Sequence, residues 1–223
     1  MKKDIKISII VTAYNHEKYI GRCLRSLLKQ SINTNLYEIN LVNDASNDRT
    51  QFGCELFCDP VDSIIKIIQN SSNLGLPASL NKAIRSSNGE FIVRVDADDW
   101  VSKDFTKLLY TFLENNDYMD AIACDYFTVN NNGIILERKN CFDDPIACGI
   151  MFRKKHLLEI GLYDENFQIN EERDLRIRFE KKYKIHRLEL PLYRYRKHDK
   201  NMTNNKYALK EYNQKLIDKH RQK

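Results

Sequence analysis

Four short apolar runs in the first hundred residues alternate with longer stretches of helical period, and this rhythm constrains the fold more than any other feature. The runs lie at 5–11, 37–42, 64–68 and 90–95. Between the first two, Tyr19, Ile20, Cys23, Leu24, Leu27 and Leu28 recur at helical spacing, so 18–29 should lay one apolar stripe on a sheet. A less regular helix is expected at 49–57, weakened by Gly53, and another at 77–86, opened by Pro77 and closed by Gly89. Strands joined in this way need crossovers, and crossovers build parallel βαβ units. The fourth run ends in Asp96-Ala97-Asp98-Asp99. These carboxylates sit where a strand gives way to a loop, the place where open α/β sheets hold ligands.

Past residue 100 the pattern loosens. Ser102 can cap a helix whose buried face is Phe105, Leu108, Leu109 and Phe112, and a polar run at 114–117 ends it. Segments 121–129 and 133–136 read as strands around an Asn-rich turn, with helices at 154–160 and 172–182. The tail 207–219 is amphipathic, setting Leu209, Tyr212, Leu216 and Ile217 against lysines. Packing on its own domain is the expected role of this tail, with peripheral contact to a membrane surface as the alternative.

At 223 residues and 42% hydrophobic content, the chain has material for one domain, 1–223. No apolar run approaches the roughly 20 residues of a membrane-spanning helix. The opening residues lack a signal-peptide cleavage pattern, so the expected location is the cytoplasm, including the inner face of its membrane. The six cysteines are scattered, without zinc or redox spacing, and read as reduced, small hydrophobes. A net charge of +5 is compatible with an anionic partner such as a nucleotide, and is too mild to argue for nucleic acid.

Breaking a glycosidic bond to a nucleoside diphosphate builds negative charge on the leaving group, which a bound cation can stabilise. Asp96-x-Asp98 at a strand end offers hard oxygen ligands suited to Mg²⁺ or Mn²⁺. Taken alone, such a pair is commonplace in loops. Asn43, Asp44, Ser46 and Asn47 could equally form only a turn, and Asn73 and Gly75 could only punctuate a helix entry.

Several motifs in fixed order resolve the choice, because together they resemble the family 2 glycosyltransferases of the GT-A fold from residue 7 to about residue 203. Residues 7–15 (ISIIVTAYN) look like the family's first strand and nucleotide turn, which implies that Thr12, Ala13, Tyr14 and Asn15 border the nucleotide. Residues 43–50 (NDASNDRT) resemble the second nucleotide segment, implying a hydrogen bond from the base to Asp44. Residues 73–81 (NLGLPASLN), with Asn73, Gly75 and Asn81, lead into 95–100 (VDADDW), where the resemblance implies Asp96 at the donor and metal and Asp98 on the metal. Leu80 departs from the arginine common in relatives.

In the second half, 148–154 and 160–165 look like the acceptor-side segment, and 170–178 (NEERDLRIR) like the acidic helix start. The family's usual Glu-Asp pair is here Glu171-Glu172. Glu172 therefore stands at the general-base position, with Asp174 as its rival. Acids in a first helical turn can also simply complement the helix dipole. Residues 194–203 resemble a late segment folding over the donor phosphates, with His198 as a metal or phosphate ligand.

The resemblance implies a single GT-A (Rossmann-like) α/β domain with a mixed, mostly parallel central sheet flanked by helices. Its nucleotide half would span about 1–100, its acceptor half about 101–205, and a C-terminal helix about 206–223. The implied reaction is inverting transfer from a nucleotide sugar, UDP-linked by expectation, to a hydroxyl of a saccharide or lipid-linked saccharide in surface polysaccharide or glycolipid assembly, with Mn²⁺ or Mg²⁺. A nucleotidyltransferase would need a glycine-rich phosphate loop after the first strand, where 12–17 reads TAYNHE instead. A non-catalytic sugar-nucleotide-binding accessory subunit remains the alternative of a different class.

Overall fold

The computed structural model describes residues 4–59, 63–198 and 206–221. The four expected strands are β1 (Ile7–Ala13), β2 (Tyr37–Asn43), β3 (Ile65–Gln69) and β4 (Phe91–Arg94), all parallel, in the order β3-β2-β1-β4. Their crossovers carry α1 (Ile20–Leu28), α2 (Thr50–Glu55) and α3 (Leu76–Ser86). Gly89 does not close α3, which ends at a Ser87 cap. It lies instead against β1, where a Cβ would come within 2.5 Å of the Ser8 backbone nitrogen.

The sheet continues into the second half. It adds β5 (Trp100–Val101), β6 (Ala121–Val129), β7 (Ile135–Lys139), β8 (Ile150–Arg153) and β9 (Ile185–Arg196), for a nine-stranded sheet among the described residues. β8 runs antiparallel to β4 and β6, while β9 pairs with β6 in parallel along its full length. The parallel pairings are the longer ones, so the sheet is mixed and mostly parallel. The sequence reading missed β9, and Pro191 explains why, since proline lacks a ladder donor and is confined to edges and irregularities. The register with β6 shifts at that point, between Cys124 and Asp125, and Pro191 sits opposite Asp125.

Two apolar layers cover the sheet. On one face Ile20, Cys23, Leu24 and Leu27 of α1 pack with Phe105, Leu109 and Leu113 of α4 (Phe105–Glu114) over Ile7, Ile9 and Val11. On the other, Leu80, Ala83 and Ile84 of α3 join Leu157 of α5 (Lys154–Glu159) and Leu175 and Phe179 of α6 (Glu171–Glu180). Each fully buried leucine, isoleucine, valine or phenylalanine among them contributes about 1.5–3 kcal/mol. Leu80, the departure noted above, is a core residue here. Phe112, expected inside, is 38% exposed, because α4 turns the narrower stripe of Phe105, Leu109 and Leu113 inward. Ser102 does not cap that helix with its side chain; Gln30 does, accepting from the Thr106 N–H at 2.8 Å.

The C-terminal helix α7 (Lys206–Arg221) docks on the rest of the chain. Leu216 is buried, the Phe167 and Tyr212 rings lie 6.3 Å apart, and Lys219 reaches Asp164 at 2.8 Å and Asp174 at 2.6 Å. Ile217, placed on the apolar side by the sequence, is 40% exposed. Among the described residues no helix is long and apolar enough to cross a membrane. All six cysteines are free, and burial pushes their thiols up, Cys54 to about 12 and Cys141 to about 11.

Candidate active site

Three loops leave the C-terminal edge of the parallel strands side by side, and the first two are laced together. Asn15 N–H donates to Ser46 Oγ at 3.0 Å, and the Asn47 N–H returns a bond to Asn15 Oδ1 at 3.0 Å. His16 N–H donates to Thr50 Oγ1 and Arg49 N–H to Glu17. Two residues in these turns adopt left-handed backbone, Asn15 at φ 58 and Ala45 at φ 56. Asparagine tolerates this conformation, whereas alanine incurs a cost of about 1–2 kcal/mol. Such strain concentrates at functional sites. Thr12 and Ala13 finish β1 at the rim, and Tyr14 is 43% exposed beside them.

Asp44 is buried and heavily used. Its Oδ1 accepts from Asn70 Nδ2 and Leu74 N–H at 2.8 Å each, and its Oδ2 from Gly75 N–H at 2.9 Å. A carboxylate offers about four acceptor positions, so roughly one remains for a base. The segment after β3 is thereby held against β2. Asn73 caps the same Gly75 N–H at 3.0 Å, and Gly75 adopts φ +86 with Gln168 so close that a Cβ would sit 2.3 Å from Oε1. Asn81 is placed differently from the others. Buried on α3, it brackets Tyr163 by accepting its N–H at 3.0 Å and donating to its carbonyl at 2.9 Å, and it also donates to Glu165. Its side chain ties the two halves together.

At the end of β4, Asp98 Oδ2 and His198 Nε2 lie 2.8 Å apart. The Tyr19 ring stacks on His198 with centroids at 5.1 Å, and the Arg196 guanidinium lies over the same Tyr19 ring at 4.9 Å and over Trp100 at 4.7 Å. Burial pushes the Asp98 carboxyl up, but the hydrogen bond to His198 and the nearby His16 and His198 rings outweigh it and hold the acid below its usual range. Asp96 has a different partner. Its oxygens meet Arg94, with Nε at 2.7 Å and Nη2 at 3.3 Å. Asp99 is internal, accepting from Tyr193 Oη at 2.8 Å and Arg196 N–H at 2.7 Å. Burial and the charges of Asp98 and Asp96 push its carboxyl up.

Two carboxylates and an imidazole are a donor set in which the hard oxygens suit Mg²⁺ or Mn²⁺. Asp98 and His198 are already gathered; Asp96 would have to share its oxygens with Arg94. A second grouping, Asp96, Asp99 and Cys148, has ligand atoms within 4.8 Å of one another. It fits an ion poorly, since Asp99 is spent on Tyr193 and Arg196 and burial pushes the Cys148 thiol up.

The three acids in the first turn of α6 lie in three environments. Asp174 is fully buried in an ion cluster with Arg178 at 2.8 Å, Lys219 at 2.6 Å and His220 at 2.9 Å. Glu172 accepts from Arg176 at 2.9 Å and lines a small enclosed space with Ala147, Tyr163 and Leu175. Glu171 faces Arg94 at 2.9 Å. Burial pushes the Glu171 carboxyl up against the opposing pull of Arg94. The sequence reading had singled out neither Arg94 nor Glu171 as a site residue. The available signal was an arginine ending the apolar strand 91–94 (FIVR), since a charge on a buried strand needs a partner.

The family model described as glycosyl transferase family 2 matches residues 8–180. An uncharacterized glycosyltransferase of Haemophilus influenzae is 39% identical over 52% of this chain and 35% of its own length. The poly(ribitol-phosphate) beta-N-acetylglucosaminyltransferase TarS of Staphylococcus aureus is 33% identical over 58% of this chain and 22% of its own. The chain therefore spans only about a third or less of these relatives. The structure of S. aureus TarS 1-349 in complex with UDP-GlcNAc superposes with a TM-score of 0.76 at 24% identity, covering 91% of this chain and 62% of that one. The mannosyltransferase PcManGT from Pyrobaculum calidifontis, in complex with GDP-Man and Mn²⁺, gives 0.76 at 14% identity, covering 98% and 64%. At these identities the two structures establish a shared fold.

Proposed function

The chain belongs to glycosyl transferase family 2, and from that premise we propose that it is an inverting, metal-dependent glycosyltransferase moving a sugar from a UDP-linked donor to a hydroxyl of a surface polysaccharide or lipid-linked acceptor. The observation that carries this reading is the Asp98–His198 pair at 2.8 Å, set beside the two cross-braced loops that leave β1 and β2. Support for a UDP donor comes from the TarS complex with UDP-GlcNAc. Support for a metal comes from the Mn²⁺ of PcManGT and from the carboxylate-rich donor set here. The acceptor class follows the poly(ribitol-phosphate) named for TarS.

Asp98 and His198, with Asp96, would hold the cation, which when bound neutralises charge on the departing diphosphate. The loops at 12–15 and 43–47 seat the nucleotide, with Asp44 fixing their neighbour at 73–75 and keeping one acceptor position for the base. Proton removal falls to the first turn of α6 and to Glu172, which has a single arginine partner; Asp174, enclosed by Lys219, Arg178 and His220, serves the docking of α7. With the base on one side of the anomeric carbon and the diphosphate on the other, a single displacement inverts configuration. The chain would form one catalytic unit, with a donor half up to about residue 100 and an acceptor half beyond it.

The test is release of nucleoside diphosphate from UDP- and GDP-sugars with Mn²⁺, Mg²⁺ or EDTA, paired with a thermal-shift screen of UDP and GDP. Metal-dependent release and a UDP-specific rise in Tm are expected, since a ligand bound only to the folded state stabilises it. Binding without turnover under every metal condition would favour the accessory-subunit reading.

A further inference from the structure

Arg94 ends β4 with its side chain only 8% exposed, and its guanidinium spans two carboxylates from distant parts of the chain. Nε and Nη2 donate to Asp96 at 2.7 and 3.3 Å, and Nη1 donates to Glu171 at 2.9 Å. Asp96 opens the strand-end loop of the proposed metal site, and Glu171 is the first residue of α6. Without the cation between them Glu171, whose side chain is 9% exposed, would be a desolvated, unpaired charge facing Asp96, which is strongly unfavourable.

On its α7 side the start of α6 is held by the ion cluster of Asp174 with Lys219 and His220. Asn170, its N-cap, lies at φ +65 and makes no side-chain cap bond; its Nδ2 instead donates to Asn213 of α7 at 3.0 Å. The apolar anchors Leu175 and Phe179 come one and two turns later. Polar contacts therefore aim the first turn, and Arg94 supplies the one that reaches the loop of Asp96. A planar fork can hold two carboxylates at fixed angles, which an ammonium cannot.

We propose that Arg94 is a positioning residue that locks the first turn of α6, and with it Glu172, in register with the loop of Asp96 and Asp98. Catalytic base and leaving-group site then move as one body. This rests on the transferase reading above, and it predicts that loss of the fork impairs the chemical step while leaving donor binding almost unchanged.

The experiment compares wild type, Arg94→Lys, and the double variant Arg94→Gln/Glu171→Gln, which removes one charge of each sign and leaves only Asp96, whose side chain is 25% exposed, without its ion partner. Measured quantities are Tm, UDP affinity in Mn²⁺ by calorimetry, and kcat and donor KM. In the folded double variant kcat should fall at least about tenfold, with donor KM and UDP affinity within about twofold of wild type. Arg94→Lys, which keeps the charge and loses the fork, should fall between the two. If kcat stays within twofold in Arg94→Lys, the proposal is overturned, and that variant decides should the double variant fail to fold. Equal losses of kcat and UDP affinity also overturn it, by assigning Arg94 to the donor site. A wild type without donor turnover sinks the transferase reading and the proposal with it, whereas an active wild type with an indifferent Arg94→Lys sinks the proposal alone.

Discussion

Both ends of the parallel sheet bury carboxylates, but they neutralise them by different means. At the N-terminal edge Glu38 accepts from Ser8 Oγ at 2.7 Å, Asn40 Nδ2 at 3.1 Å, and the Asn88 N–H and Nδ2 at 2.6 and 2.8 Å. Every one of these donors is neutral, two of them on β1 and β2 and two on Asn88 in the loop before β4. Burial pushes the Glu38 carboxyl up, and the four hydrogen bonds outweigh it and hold the acid low. At the C-terminal edge Asp98 meets His198, and Asp96 meets Arg94. Those partners are ionisable side chains of other elements, which can share or yield the carboxylate when a cation arrives. An acid satisfied by neutral donors stabilises the fold, and one satisfied by a basic side chain can be exchanged into chemistry.

The largest expected effect breaks that comparison at its functional end. Asp98→Asn keeps the size of the side chain but removes the ligand charge, so transfer should drop by about 10³-fold or more. Tm should shift by no more than about 2–4 °C, since the loss at a strand-end loop is confined to one polar pair. Turnover near the wild-type rate in folded Asp98→Asn would reassign the carboxylate to structure.

Next comes the N-terminal end. Glu38→Ala would strand the donors of Ser8, Asn40 and Asn88 in a buried position, and buried unsatisfied donors cost about 1–3 kcal/mol each. A stability loss of about 3 kcal/mol by denaturant titration is expected, with turnover per folded molecule unchanged. Lost activity in a protein that remains fully folded would show that the two ends are not separable in this way.

Which of these acids is which was only partly legible in the sequence. The βαβ rhythm placed β1 to β4 to within two residues, because apolar periodicity reports burial on each sheet face directly. β8 and β9 escaped, β8 because its four residues (IMFR) are too short a run to carry a period, and β9 because its polar-apolar mixture and Pro191 hide long-range pairings that only the partner strands define. The motif order singled out Asp96, Asp98 and His198, and the structure joins the last two. It could not reveal that Asp44 and Asn81 spend most of their hydrogen-bonding capacity on internal loops, nor that Asp174 belongs to an ion cluster, because those partners, Arg178 apart, lie 26 to 84 residues away. Local chemistry is written in spacing; the partner that decides whether an acid is free is not.

Asp174 supplies the smallest and sharpest test, because it is a structural acid neutralised by charge and so sits between the two types. Burial pushes its carboxyl up, and Lys219, Arg178 and His220 outweigh it and hold it below the usual range. A depressed acid contributes stability that is complete above its unfolded value, near about 3.9, and is lost as the pH falls through the folded value. Asp174→Asn should therefore lower stability near neutral pH and flatten the acid limb of the stability curve below about pH 4. The loss at neutral pH should be only about 1 kcal/mol, since Lys219 remains 33% exposed and Arg178 18%, and water already screens both cations. Salt separates it from Glu38: raising ionic strength should shrink the Asp174 contribution and leave that of Glu38, whose donors carry no charge, almost unchanged. Equal salt sensitivity at both sites would remove the distinction between neutral-donor and ion-paired acids in this fold. If Asp174→Asn abolished transfer in a protein that stayed folded, the general base would move from Glu172 to Asp174, and the docking of α7 would become part of the active site.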